Sequence, residues 1–318
     1  MEYGFGLPTR GPMATPQHLA TLARKGEELG FGILSVSDHV IIPRAIASTY
    51  PYNESGTYMG SPSGDCMEQL SLLSFLAGIT SSAKLLTSVM VVPHRPPVLT
   101  AKMLATIDVL SNGRVIVGCG VGWMREEFKA LGAPNYDKRG AVSDEYIRAF
   151  KELWTSDNPT FQGAYCQFAD VIFAPKPIQK PHPPIWTGGE SPVALRRAGR
   201  LADVWYPIGS NPRHPVGTPE EYAEYAGRVK QCAEEAGRDP STLDFAYSSN
   251  WYTDEQALTL ADGQRRTLTG TPQQIADDIK RYAAQGVRHL LLNMQGDTLE
   301  QTLARLERFA ERVMPRAR

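Results

Sequence analysis

The chain has 318 residues, 42% of them hydrophobic, and its 33 Lys and Arg against 34 Asp and Glu leave a formal net charge of -1. This length is enough for one large α/β barrel domain or for two ordinary domains. The balanced charge, without a basic block, argues against nucleic acid as a partner. No apolar run approaches the roughly 20 residues of a membrane span, and no basic segment followed by an apolar stretch opens the chain. We therefore expect a soluble, cytoplasmic protein without a membrane partner.

The cysteines predict neither disulfides nor a metal site. Four of them stand far apart, with no CxxC pair and no His near a second His: Cys66, Cys119, Cys166 and Cys232. This spacing fits neither a disulfide framework nor a zinc site, and it agrees with a reducing compartment.

Four pairs of a hydroxyl residue followed by proline predict the starts of helices. These pairs are Thr15-Pro16, Ser191-Pro192, Thr218-Pro219 and Thr271-Pro272. The hydroxyl caps a free backbone N–H, and proline at the first helical position loses no hydrogen bond. Glu221 and Gln274 follow their caps by three residues and complete capping boxes.

Glycines predict where these helices end and where strands follow. The four glycines, each expected in the left-handed conformation after a helix, are Gly30, Gly199, Gly237 and Gly286. Short apolar runs at 3–7, 31–36, 85–92, 115–119, 184–186, 201–206, 243–247 and 287–292 predict eight strands. Strands that alternate with helices, such as those predicted at 97–110 and 142–153, favour a parallel sheet. Eight of them favour an α/β fold of the (β/α)8 TIM barrel type, as a single domain over residues 1–318.

Three segments exceed what a minimal barrel needs. Residues 41–66, which include Gly60-Ser61-Pro62-Ser63-Gly64, form a long loop after strand 2, and such loops are usually lids, binding loops or disordered. Residues 161–173, after strand 4, contain a plausible turn between two short strands. Residues 248–270, after strand 7, are a further insertion. It either reaches the face of the barrel on which the loop 41–66 lies and contacts the substrate there, or it makes no such contact.

Polar or glycine-rich clusters follow three of the predicted strands directly. They are Ser37-Asp38-His39, the segment from Gly118 through Cys119, Gly120 and Val121 to Gly122, and Thr187-Gly188-Gly189. In a parallel α/β protein the active site forms at the carboxyl ends of the strands, so these clusters predict one shared site.

Each cluster has a functional and a structural interpretation. Asp38 and His39 either form a catalytic pair or are, respectively, a loop cap and a satisfied polar residue. The glycines follow a GxGxG spacing, not the GxGxxG of a dinucleotide-binding fingerprint, but they would let backbone approach a flat ligand. Thr187-Gly188-Gly189 either holds a phosphate on backbone N–H groups or is an ordinary turn.

Taken together, the motifs resemble the luciferase-like monooxygenase superfamily over residues 1–315, and in particular its branch that depends on coenzyme F420. The resemblance rests on Val36-Ser37-Asp38-His39, Leu86-Thr87-Ser88-Val89, the run from Leu110 to Trp123, and the run from Pro184 to Gly189. It implies a barrel enzyme whose cofactor ring lies across the carboxyl-terminal mouth.

The resemblance also implies roles for individual residues. Asp38 and His39 would lie beside the reactive ring, with His39 the candidate for proton transfer or substrate polarisation. In F420-binding members a non-prolyl cis peptide bond backs the ring, and the corresponding pair is Ser88-Val89. Residues lining the cofactor would be Gly120, Val121 and Gly122, and those receiving its phosphate would be Gly188 and Gly189.

The choice of cofactor stays open between two reactions. Ser-Asp-His resembles the F420 branch more than the Glu-His-His of the luciferases, which favours hydride transfer between F420 and a small organic substrate. The alternative is an FMN-dependent monooxygenase that uses reduced flavin and oxygen. A third hypothesis is a barrel that binds or stores a cofactor without catalysis. It predicts that His39→Ala and Asp38→Ala leave cofactor binding intact, with no activity to lose.

The substrate is less well defined by the sequence. Tyr52, Trp123 and Trp251 are aromatic candidates for contact with an apolar or ring-bearing molecule, although each could instead pack loops. Trp123 stands where the sugar-phosphate dehydrogenases of the family carry an acidic residue, which argues against a sugar-phosphate substrate. The resemblance further implies a homodimer.

Overall fold

The fold is a (β/α)8 barrel, and the computed structural model describes residues 1–58, 60 and 63–318 of it. The strands are β1 (Glu2–Gly6), β2 (Ile33–Val36), β3 (Lys84–Thr87), β4 (Met90–Val91), β5 (Val115–Gly120), β6 (Phe161–Gln162), β7 (Gln167–Phe168), β8 (Ile185–Thr187), β9 (Val204–Trp205), β10 (Asp244–Ser249) and β11 (His289–Leu292). The larger sheet runs in the order β3-β2-β1-β11-β10-β9-β8-β5-β4, and β3 also pairs with β5, which closes it. Both β3 and β4 run parallel to β5, so they are two pieces of the third barrel strand. The predicted fold class is confirmed.

Helices alternate with these strands. They are α1 (Pro16–Glu28), α2 (Gln69–Ile79), α3 (Pro97–Leu110), α4 (Arg125–Leu131), α5 (Arg139–Thr155), α6 (Pro192–Leu201), α7 (Pro219–Glu235), α8 (Pro272–Ala284) and α9 (Leu299–Arg308). Shorter helical turns cover Val92–His94, Tyr136–Lys138, Pro240–Thr242 and Phe309–Val313. The four predicted N-caps are confirmed, and the capping boxes of Thr218 and Thr271 are both formed.

Three of the four predicted helix-ending glycines are confirmed and one is wrong. Gly30, Gly237 and Gly286 have φ of 87°, 72° and 95°. Gly199 instead lies inside α6, where an added Cβ would come within 2.7 Å of the Ala233 nitrogen in α7. Gly199 has no side chain because α6 and α7 approach each other closely there, and it does not end the helix. Helix α6 therefore continues to Leu201, and the strand that follows it is shorter than predicted.

The chain consists of two compact units. Unit 1 comprises residues 1–8, 15–35 and 187–318, and unit 2 comprises residues 9–14 and 36–186. In unit 1 the rings of Tyr247 and Tyr282 stack with centroids 4.6 Å apart. In unit 2 the indole Nε1 of Trp154 donates to the Ala101 carbonyl at 3.0 Å, which ties α5 to α3. A single domain over residues 1–318 and a homodimer both stay predictions.

The predicted insertions are present as irregular or added structure. Strands β6 and β7 form an antiparallel hairpin, as predicted after the fourth barrel strand. Between β2 and α2 the described residues form neither helix nor strand, and Met59, Ser61 and Pro62 of this loop lie outside the described residues. The third insertion carries isolated bridges, including one between Thr253 and Thr269. Within the described part of the chain, no helix has the length and apolar character needed to cross a membrane.

Candidate functional site

Ser37-Asp38-His39 directly follows β2 in unit 2, and its last two residues are buried. The exposed fractions of the whole residues Asp38 and His39, backbone included, are 5% and 8%. The carbonyl of Val36, at the end of the strand, accepts hydrogen bonds from the Ser88 amide and from the Gln69 side chain, each at 2.8 Å. The hydroxyls of Ser37 and Thr9 are 2.7 Å apart. The chain is therefore held on both sides where it leaves the strand.

Asp38 uses both carboxylate oxygens inside the protein. Arg95 donates to them from its two terminal nitrogens, each at 2.8 Å, and the Val91 amide donates to Oδ2 at 2.9 Å. Arg95 also binds Glu68 at 2.7 Å. Burial opposes the charge on Arg95, but the bonds to Asp38 and Glu68 raise its pKa above the ordinary value. The arrangement fixes β4 to the end of β2.

His39 pairs with Glu127, a residue that the sequence interpretation did not select. His39 Nδ1 and Glu127 Oε2 are 2.8 Å apart, and Oε1 accepts from the amides of Val40 and Ile41 at 2.8 and 3.3 Å. Burial opposes the charge on Glu127, yet its bonds with His39 and the backbone lower its pKa below the ordinary value. An ionised carboxylate only accepts hydrogen bonds, so Nδ1 of His39 carries the hydrogen of this contact.

A second imidazole, that of His94, lies beside this pair. Its Nδ1 is 4.0 Å from Glu127 Oε1, and its ring meets the edge of Phe128 with centroids 4.7 Å apart. Burial lowers the pKa of His94, which favours the neutral ring. Among the described residues neither ring nitrogen of His94 has a hydrogen-bond partner. Buried polar atoms without a partner are rare, so this ring is a candidate for contact with a ligand.

Two predicted substrate contacts, Tyr52 and Trp123, belong to one aromatic cluster next to His39. The aromatic cluster consists of Tyr50, Tyr52, Tyr58 and Trp123. The centroid of Tyr50 lies 5.5 Å from those of Tyr52 and Tyr58 and 5.1 Å from that of Trp123. The His39 ring lies 5.2 Å from Tyr58 and 6.4 Å from Trp123. The long loop after β2 thus brings its tyrosines to the predicted proton-transfer residue.

The glycine-rich end of β5 packs closely against its neighbours in unit 2. A Cβ on Gly120 would lie 2.5 Å from Val89, and one on Gly122, whose φ is 81°, would lie 2.6 Å from Phe128 and 2.7 Å from Val91. Arg139 donates to the Gly122 carbonyl at 3.1 Å. Packing of protein atoms thus explains these glycines, and their predicted role, with Val121, in lining a cofactor stays a prediction. The peptide bond between Ser88 and Val89 is cis, as the resemblance implied.

Thr187-Gly188-Gly189 lies in unit 1, at the end of β8. Gly189 has φ of 94°, and Ser191 caps α6 two residues later. Thr187 Oγ1 is buried and has no hydrogen-bond partner among the described residues. Glu190 accepts from the Ile208 amide and from Asn211, both at 2.9 Å, and burial raises its pKa.

Trp251, the third predicted substrate contact, also lies in unit 1. Its indole Nε1 donates to the Thr267 carbonyl at 2.9 Å, and the Arg266 guanidinium lies 4.5 Å from its ring centroid. These contacts hold the insertion after β10 together. A role in binding substrate stays a prediction.

The residues that sequence reasoning missed are mainly charged groups just outside the three motifs or between them. Glu127 stands in the Trp123-Met124-Arg125-Glu126-Glu127 segment, and Arg95 stands between His94 and two prolines. The available signal for Glu127 was an acidic residue next to Phe128, the other residue that α4 buries. No local pattern indicates its pairing with His39. Across residues 1–58, 60 and 63–318, no group of three or more His, Cys, Asp or Glu side chains could hold a metal ion.

Comparison with known proteins identifies the family. A sequence model described as luciferase-like monooxygenase matches residues 1–257. An FMNH(2)-dependent dimethylsulfone monooxygenase of Pseudomonas putida is 31% identical over 295 residues, which cover 79% of this chain and 78% of that protein.

Solved structures share the fold at lower identity. An F420-dependent secondary alcohol dehydrogenase superimposes with a TM-score of 0.76 at 19% identity, covering 100% of this chain and 99% of the other. The F420-dependent tetrahydromethanopterin reductase of Methanopyrus kandleri does so with a TM-score of 0.75 at 18% identity and the same coverage. The chain belongs to the luciferase-like monooxygenase family and is an oxidoreductase of that general kind.

Proposed function

We propose that this chain transfers a hydride between coenzyme F420 and a small organic substrate. The observation that carries the proposal is the 2.8 Å contact between His39 and Glu127. Moving a hydride to or from an alcohol carbon needs a group that takes or returns the proton on oxygen. An imidazole whose tautomer is set by a buried carboxylate is suited to that task.

Each unit contains buried polar groups that fit such a cofactor. In unit 2, His94 has two buried ring nitrogens without a partner among the described residues, and in unit 1, Thr187 Oγ1 is in the same situation. Groups of this kind are expected where a ligand completes the hydrogen bonding. In unit 2, the residues that the resemblance implies would hold the cofactor are Ser88, Val89, Gly120, Val121 and Gly122.

Each side chain then has a defined task. The bound deazaflavin would supply the carbon that accepts or donates the hydride. His39 Nε2 takes the proton of the substrate oxygen during oxidation and returns it during reduction, while Glu127 stabilises the imidazolium form. Asp38, whose oxygens are engaged by Arg95 and Val91, acts as a positioning residue that holds the third barrel strand.

A second candidate is an FMN-dependent monooxygenase that uses reduced flavin and oxygen. It is favoured by the relative from Pseudomonas putida, whose name states FMNH(2) dependence and which is 31% identical to this chain. The same His39 and Glu127 would then serve proton transfer beside a flavin.

The two candidates differ in a direct binding measurement. Purified protein is titrated with F420, with FMN and with FMN reduced under anaerobic conditions, and cofactor fluorescence or absorbance is followed. We expect F420 to bind at least tenfold more tightly than either form of FMN. Tighter binding of reduced FMN would replace the proposal by the second candidate, and failure of all three to bind would refute both.

A variant separates cofactor binding from proton transfer. His39→Gln keeps a polar side chain but has no titratable group, so we expect F420 affinity within about threefold of wild type and loss of most turnover. If the protein only binds its cofactor and has no catalytic activity, neither wild type nor His39→Gln will show turnover.

A further inference from the structure

Arg10 is a cation without an acidic partner in the described part of the chain. Its Nη1 donates to the Tyr58 hydroxyl at 2.6 Å, and its guanidinium carbon lies 5.6 Å from the centroid of that ring. Guanidinium presents five N–H donors, and this contact uses one of them. The remaining edge is free of any carboxylate of the described residues.

The acids of the candidate site and of the neighbouring loop are engaged by other residues. Both oxygens of Asp38 bind Arg95, which also binds Glu68. Glu127 binds His39 and two backbone amides. Asp65 accepts from the Gly11 amide at 3.0 Å and from the Ser63 hydroxyl. The positive charge of Arg10 is therefore not neutralised by the protein around it.

Tyr58 connects this charge to the candidate site. Its ring lies 5.2 Å from the His39 ring and 5.3 Å from Trp123. Burial raises the pKa of Tyr58 to about 12, and Arg10 offsets only part of that effect, so the phenol stays neutral. Because its oxygen accepts from Arg10, its own proton is available to a ligand, and such a chained bond strengthens the donor.

We propose that Arg10 and Tyr58 form a carboxylate-binding subsite beside His39, and that the substrate is a small organic acid with an apolar ring. The planar fork of arginine matches a carboxylate with two parallel hydrogen bonds. The aromatic cluster provides apolar surface for the ring of the same molecule. The assignment of this molecule as substrate rests on the proposed function, whereas the binding of the acid does not.

The test compares acids with amides of the same shape. Benzoate and benzamide, phenylacetate and phenylacetamide, and cyclohexanecarboxylate and its amide are titrated by calorimetry into the full chain, with and without the cofactor that binds. Tryptophan fluorescence, to which Trp123 contributes, provides a second readout. We expect at least one acid to bind tenfold to a hundredfold more tightly than its amide, as charge-assisted hydrogen bonds of this type do.

Variants show which residues cause the preference for the acid over the amide. Arg10→Gln should abolish the preference for the acid and leave the affinity for the amide within about twofold. Arg10→Lys should retain part of it, and Tyr58→Phe should weaken it several-fold. Arg44→Gln removes the same charge from an exposed position of the loop after β2, so it should behave like wild type.

Each result decides the proposal. Equal affinity for acid and amide in all three pairs, or a preference that survives Arg10→Gln, would overturn it. A thermal unfolding temperature equal to that of wild type in Arg10→Gln and in Arg10→Lys would show that the fold of each variant is intact. A preference for acids that depends on Arg10 in a protein that binds neither F420 nor FMN would support the subsite and refute the proposed function.

Discussion

His39 and Glu127 stand 88 positions apart in the chain, yet Nδ1 of the imidazole lies 2.8 Å from Oε2 of the carboxylate. Both side chains are almost fully shielded from solvent, with exposed fractions of 10% and 1%. Because the ionised carboxylate can only accept, the contact assigns a hydrogen to Nδ1 of His39.

Glu127→Gln should lower turnover roughly a hundredfold or more, because the amide can donate to Nδ1 and favour the wrong tautomer of His39. Nitrogen NMR of the labelled imidazole reports the tautomer directly and does not require a substrate. The control is Asp137→Asn, which removes one carboxylate charge from an exposed ion pair with Arg125. An unchanged His39 spectrum in Glu127→Gln would contradict the assignment.

Asp38→Asn should destabilise the fold by about 3 kcal/mol, because it leaves the buried Arg95 guanidinium without its bidentate partner. Urea unfolding of wild type and variant measures the free energy of unfolding. Glu220→Gln breaks the exposed ion pair with Arg281 and should cost less than about 1 kcal/mol. Similar losses in the two variants would show that burial does not strengthen the Asp38 pair.

His289 should make stability depend on pH. Burial alone would lower the pKa of His289, but bonds to Glu2 at 2.8 Å and Asp244 at 3.3 Å raise it above the ordinary value. A group whose pKa is higher in the folded state stabilises fully below its unfolded pKa of about 6.5, and loses that effect as pH rises through the folded value.

The expected signature is a difference between two unfolding curves. Near pH 6 the free energy of unfolding of His289→Gln should be lower than that of wild type. The difference between the two free energies should become smaller as pH rises above neutrality. His214→Gln, at a position without an acidic partner among the described residues, should follow wild type throughout. A gap that widens with rising pH would reverse the assigned sign.

Gly199→Ala should destabilise the protein by about 1–3 kcal/mol, since the new methyl group would approach the Ala233 nitrogen and the Cys232 carbonyl carbon within 2.7 and 2.8 Å. Gly227→Ala is the matched control. It lies in the exposed face of α7 with nothing within 4 Å of its Cβ, and helix propensity predicts stabilisation by about 0.5–1 kcal/mol. Thermal or urea unfolding separates the two, and equal effects would mean that α6 and α7 can move apart at little cost.

Much of the fold was readable from local patterns, because helix caps and strand runs depend on neighbouring residues. Thr218 with Glu221 and Thr271 with Gln274 form the predicted boxes, since every atom involved lies within one helical turn. Gly199 shows the limit of this reasoning. A glycine marks either a helix end or a close approach, and only the position of α7 distinguishes them.

At the candidate site, local sequence patterns indicate which segments carry polar groups at strand ends, and they point to His39 and Asp38. The tertiary structure decided what those groups contact: Asp38 is engaged by Arg95, His39 is oriented by Glu127, and Arg10 lies against Tyr58 without an acidic partner among the described residues. The physical reason is that ion pairs and tautomers depend on distances of a few ångströms between residues far apart in the chain, and no local pattern encodes those distances.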